Sequence, residues 1–172
     1  MTDMARILSH LNEARAGLLA ALDSVSAERW RDPPRPGKWS AGEVIAHLRM
    51  VETRVTEAAA RIIRKDPRPV PPWRRLHFPV RLVGWRAIPA RTPVPLDPGL
   101  VLEKDVVLPA FADLRRRTLA FLDETRTRNL RAFRWDHPLL GNLHFYYWFR
   151  MLAFHEERHT RQILEIVEIF QK

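Results

Sequence analysis

The chain has 172 residues, enough for one ordinary domain with a sizeable apolar core and no covalent staples. Its hydrophobic fraction of 46% and charged fraction of 28% exclude a disordered chain, and its lack of cysteine excludes disulfides and thiolate metal ligation. The formal net charge is +9, concentrated in one stretch.

The N-terminal stretch MTDMARILSHLNEARAGLL has neither the charged n-region nor the continuous apolar run of a secretory signal. No window approaches the roughly 18 apolar residues of a membrane span. A cytoplasmic protein with no transmembrane segment is the expectation. Six Gly against fourteen Pro, with few alternating β-branched runs, predicts helices joined by stiff loops.

Met4, Ile7, Leu8, Leu11, Ala14, Leu18 and Leu22 recur at three- and four-residue steps, which predicts a first helix from Asp3 to Asp23. The Pro33-Pro34-Arg35-Pro36-Gly37 loop then breaks the pattern. A second helix starts where Ser40 and Glu43 form a capping box, and its stripe is Val44, His47, Leu48, Val51, Val55, Ala58 and Ile62. It is expected to end near Lys65, ahead of Asp66-Pro67.

From Pro67 to Pro98 there are nine prolines in 32 residues, with Trp73, Phe78 and Trp85 among them. This composition predicts a long crossover packed against the other helices, with a short helical turn around Phe78 to Trp85. Between Arg61 and Arg91 nine Lys or Arg face one acid, Asp66, a local charge of +8. Such a stretch suits either a solvated surface or an anionic partner, nucleic acid or membrane surface; it lacks a nucleic-acid recognition pattern. The third helix should open near Leu108 with Pro109 in its first turn, and bury Phe111, Leu114, Thr118, Phe121 and Leu122. A short connection over Phe133–Asn142 leads to a fourth helix from Leu143 to Phe170, with Trp148, Leu152, His155, His159, Ile163, Ile166 and Phe170 inward. Four such stripes predict an all-α four-helix bundle, one domain over residues 1–172. Trp30, Trp39 and Trp148 are expected as core anchors.

His155 and His159 are four apart on one helix, so their rings lie about 6 Å apart on one face. His47 holds the equivalent inward position on the second helix. A single buried histidine is ordinarily a hydrogen-bonded core residue. Three on matching faces carry a desolvation cost that ligation of a divalent metal would offset, and would leave positions open for water or substrate. His10, His77, His137 and His144 are weaker candidates. The string His155-Glu156-Glu157-Arg158-His159 also fits H-E-x-x-H, the zinc-protease pattern. Against a protease, only 13 residues follow His159, and Gln162 and Glu165 stand where the extended motif needs Gly and His. Glu156, on the border of the inner face, suits a base or a partner of the ligands.

Pro36-Gly37-Lys38-Trp39-Ser40 with Glu43 and His47-Leu48, then His137-Pro138 with Gly141, Trp148, and His155-x-x-x-His159-x-x-Gln162-Ile163, resemble the DinB-like superfamily. The resemblance implies an up-down-down-up bundle, in which parallel second and third helices need the long proline-rich crossover. It further implies that His47, His155 and His159 bind a divalent metal such as zinc or nickel, and that a homodimer forms through helix faces. Relatives include thiol-dependent S-transferases and isomerases that use low-molecular-weight thiols. Glu156 departs from what many relatives carry after the first helix-four histidine, so no role for it is implied.

Three functions follow from these residues. The first is a metal-dependent enzyme acting on a small-molecule substrate, a thiol S-transferase or hydrolase, with Glu156 or Gln162 assisting the ligands. The basic crossover would then attract an anionic substrate or a thiol cofactor. The second is a non-catalytic, stress-associated or scaffold bundle. The third is a binder of anionic surfaces or nucleic acid through residues 61–91.

Overall fold

The computed structural model describes residues 3–85 and 97–172. Four long helices carry the architecture: α1 Asp3–Asp23, α2 Ala41–Ile62, α3 Lys104–Glu124 and α4 Phe145–Phe170. The chain is an all-α four-helix bundle with one small hairpin, β1 Arg134–His137 and β2 Gly141–His144. No helix among the described residues is long and apolar enough to cross a membrane.

α1 has the predicted bounds and buries Met4, Ile7, Leu11, Ala14, Leu18 and Leu22. At the start of α2 the Glu43 N–H donates to Ser40 Oγ at 3.2 Å, and the Ser40 N–H donates to the Glu43 carboxylate at 2.8 Å. Two otherwise orphan donors are thereby satisfied. The helix stops at Ile62, short of Lys65, where the Arg128 guanidinium donates to the Ile63 carbonyl at 2.9 Å.

Two further boundaries differ from expectation. α3 begins at Lys104 rather than Leu108, because the Lys104 ammonium donates to the Leu22 and Val25 carbonyls at and just beyond the end of α1, at 2.9 and 2.5 Å. Pro109 therefore lies inside α3, not in its first turn; it faces solvent, where water can serve the carbonyl that its ring leaves without a donor. The connection before α4 is a hairpin, pairing Arg134 with His144 and His137 with Gly141, and α4 starts at Phe145. Its turn is held by His137 Nδ1, which accepts from the Leu139 and Leu140 N–H groups at 3.0 and 3.1 Å. Gly141 there has φ +87°, and a Cβ would come within 2.9 Å of the Leu76 carbonyl oxygen.

The crossover leaves α2 and makes a 3-10 turn at Pro72–Arg75 and another at Val80–Gly84, inside the span where a turn was expected. Val80 is buried and Val83 packs against the same core. Trp73, Phe78 and Trp85, by contrast, are exposed rather than packed inward. Pro89, Pro93, Pro95, Arg86 and Arg91 lie outside the described residues.

Inside the bundle the apolar side chains form two clusters. One joins the N-terminal halves of α1 and α4 to the C-terminal parts of α2 and α3, through residues such as Ile7, Leu11, Val55, Leu122 and Phe149. The other joins the opposite ends, through Leu18, Trp30, Val44, Phe111 and Ile163. Near the second cluster Gly42 is a point of close approach: a Cβ would meet Val101 Cγ1 at 2.8 Å and Trp30 Nε1 at 2.9 Å. Between the clusters, in sequence, lies one buried charge from each of the four helices, Arg15, Glu52, Arg115 and Glu156.

Candidate metal centre

α2 carries His47 and α4 carries His155 and His159, all on faces turned inward by the helical period. Their Nε2 atoms converge: His47 to His155 is 3.1 Å, and His159 to His155 is 3.1 Å. A ring nitrogen has one in-plane site, a proton or a lone pair, so His155 Nε2 cannot form a full hydrogen bond with both neighbours. A cation at the common focus would satisfy all three. Metal–nitrogen bonds of about 2.0–2.1 Å in a tetrahedral site place the nitrogens roughly 3.3 Å apart, close to what is seen.

The protonation state agrees with ligation. Burial pushes His47 down to about 4. His155 lies well below the ordinary imidazole value, first through burial and then through the neighbouring rings of His159 and His47. Neutral imidazole is the form that binds metal. Gln162, one turn beyond His159, sets its amide oxygen 2.9 Å from His159 Nδ1. With an acceptor there, the neutral ring carries its proton on Nδ1 and leaves Nε2 bare. Among the described residues this is the group of side chains able to hold a metal ion.

A family model described as the DinB superfamily matches residues 10–163. The chain belongs to the DinB superfamily. No curated protein and no solved structure matches it.

The site of this DinB-superfamily bundle has a roof in Trp39, which packs against the core as expected and also reaches the histidines. Trp39 lies just ahead of the Ser40 cap, with its ring 5.0 Å from His47 and stacked at 6.3 Å on His159. The other histidines do different work. His10 pairs with Glu157 at 2.7 Å, His77 and His144 pack on Tyr147, and His137 holds the hairpin turn.

Glu156 enters a buried ion network that the sequence reading did not anticipate. Each helix contributes one charge: Arg15 from α1, Glu52 from α2, Arg115 from α3 and Glu156 from α4. Arg15 engages one Glu156 oxygen and donates to Glu52 at 2.8 Å; Arg115 donates to Glu52 at 2.9 Å and to the other Glu156 oxygen at 2.7 Å. Arg15 also donates to the Phe111 carbonyl at 2.7 Å and lies over the Phe111 ring. Burial pulls the Glu52 carboxyl upward, but the Arg115 hydrogen bond and the charges of Arg115 and Arg15 outweigh it, leaving Glu52 below its ordinary value. The network adjoins the candidate metal centre, since Glu156 follows His155 directly and both line the same small cavity.

Proposed function

We propose that this chain is a metal-dependent enzyme, a thiol S-transferase or hydrolase acting on a small molecule, with zinc or nickel held by His47, His155 and His159. The observation that carries the reading is the meeting of three imidazoles, with His155 Nε2 3.1 Å from the Nε2 atoms of both His47 and His159. A divalent cation held there supplies a Lewis acid that makes a thiol or a water nucleophilic near neutral pH. Three protein donors leave room for that group, as in catalytic rather than structural sites.

The chain's own residues then orient and shelter the centre. Gln162 fixes the tautomer of His159, and Trp39 covers His47 and His159. Of the two roles open to Glu156, its pairing with Arg15 and Arg115 favours support of α4 over proton abstraction, since both carboxylate oxygens are engaged. The same reading takes residues 1–172 as one domain with its helices in up-down-down-up order. Supporting that order, the N-terminal halves of α1 and α4 share a core with the C-terminal parts of α2 and α3.

The test is elemental analysis of protein purified without a histidine tag, followed by zinc and nickel titration of the stripped protein. One equivalent per chain, lost in His159→Ala, is expected; no metal and no uptake would remove the proposal. Consumption of a low-molecular-weight thiol with an electrophile, against ester hydrolysis, then separates transferase from hydrolase. A non-catalytic bundle is the second reading, favoured by the engagement of Glu156 in ion pairs. It predicts that alanine at all three histidines leaves cellular phenotype intact.

A further inference from the structure

The crossover and the hairpin together expose an apolar edge among arginines. An isolated bridge pairs His77 with Gly141, and the Phe78 N–H donates to the Leu140 carbonyl at 3.0 Å. In extended backbone alternate side chains point to opposite sides. His77 turns inward onto Tyr147, with ring centroids 4.6 Å apart, so Leu76 and Phe78 turn outward together. The same pairing brings up the hairpin turn with Leu139. Leu76 is 77%, Phe78 64% and Leu139 54% exposed, and Trp73 nearby in sequence is 71% exposed. Scattered apolar residues are ordinary on a surface, but large ones gathered by a specific pairing mark a contact site.

The setting is cationic. Residues 61–85 hold seven Lys or Arg against one acid, Asp66. Arg74, Arg75 and Arg81 are all exposed, and Arg134 donates to the Arg75 carbonyl at 3.2 Å, adding a further charge. Arg74 alone of these four has an acid partner among the described residues, Asp136 at 3.3 Å.

We infer that this edge, Leu76, Phe78 and Leu139 with Arg75 and Arg81, docks on the surface of an anionic phospholipid bilayer. A bilayer interface accepts aliphatic and aromatic side chains below its headgroups and cations at their level, in one contact. Single-stranded nucleic acid would use the aromatic planes of Phe78 and Trp73 but has no use for the aliphatic Leu76 and Leu139, which a bilayer interface accepts. The chain lies on such a surface; it does not span it. The inference stands apart from the metal reading, because none of these residues belongs to the histidine centre.

The experiment is co-sedimentation of the full chain with vesicles of phosphatidylcholine, with and without phosphatidylglycerol. Binding to the anionic vesicles only, weakened by salt and accompanied by a blue shift of tryptophan emission, is expected. Leu76→Ser with Phe78→Ser should reduce affinity about tenfold or more. Arg75→Glu with Arg81→Glu should reduce it by about fivefold or more while leaving the far-ultraviolet circular dichroism unchanged. No binding to anionic vesicles, or equal binding by the Leu76/Phe78 variant, would overturn the inference. It would equally fall if the same two residues were instead needed for binding a single-stranded oligonucleotide, or for a dimer in solution.

Discussion

Replacing Arg115 by methionine tests whether the four buried charges act as one closed unit. Glu52 and Glu156 are 3% and 2% exposed, and Arg115 gives both of them hydrogen bonds between 2.7 and 3.2 Å. Methionine fills much of the space but leaves two carboxylates sharing Arg15, a net buried negative charge. Breaking such a pair costs about 3–5 kcal/mol, because the stranded charge stays desolvated. That is a large part of the roughly 5–15 kcal/mol that holds a domain together. For a chain of this size it corresponds to a fall of roughly 6–20 °C in melting temperature.

The pH dependence supplies a second signature. The folded Glu52 carboxyl lies below its ordinary 4.5, so its pairing stabilises the fold above that value and is lost as pH falls through the folded value. In the variant the stranded carboxylate takes up a proton more readily, and its cost fades toward acid. The gap between wild type and Arg115→Met in urea denaturation should therefore be widest near pH 7 and shrink at about pH 4. Arg115→Lys, which keeps the charge but not the planar fork, should fall between them. A loss under about 1 kcal/mol at neutral pH, or one that does not change with pH, would refute the argument.

Gln162→Ala should weaken zinc binding about 10–100-fold in competition titrations without changing the melting temperature of the stripped protein, whereas Gln162→Glu, which keeps an acceptor, should retain it. Because burial holds His47 near 4, zinc should stay bound as pH falls past the ordinary imidazole value of 6.5 and leave only as 4 is approached. Dialysis at stepped pH with metal analysis reads this directly; release centred on 6.5 would contradict it. Gly42→Ala should destabilise by about 1–3 kcal/mol, since the new methyl meets Val101 and Trp30 in a packed corner. An unchanged or raised denaturation midpoint would show that the corner can relax.

Much of the candidate site was legible in the histidine spacing, because His47, His155 and His159 fall on the apolar stripes that define their helices. The ion network carried a signal of the same kind, which stripe-reading passes over. Arg15 lies four after Leu11 and three before Leu18, and Glu52 four after Leu48 and three before Val55. Arg115 lies four after Phe111 and three before Thr118, and Glu156 four after Leu152 and three before His159. A charge in such a register is buried, and burial demands a partner. Which charge meets which is another matter, since every pair in the network crosses between helices. The hairpin was hidden for a different reason. Arg134–His137 and Gly141–His144 are too short and too polar to show a period of two, and only their pairing makes them strands.

Sequence by itself determined four amphipathic helices, the capped start of α2, and which face of each helix turns inward, because these depend on neighbours three or four residues apart. Tertiary structure alone decided that three imidazole nitrogens share one focus, that Trp39 roofs them, and that Glu156 answers to two arginines. It also decided that Lys104, by closing on the end of α1, starts α3 a turn early. Those outcomes depend on how whole helices sit against one another, a relation that no local spacing encodes.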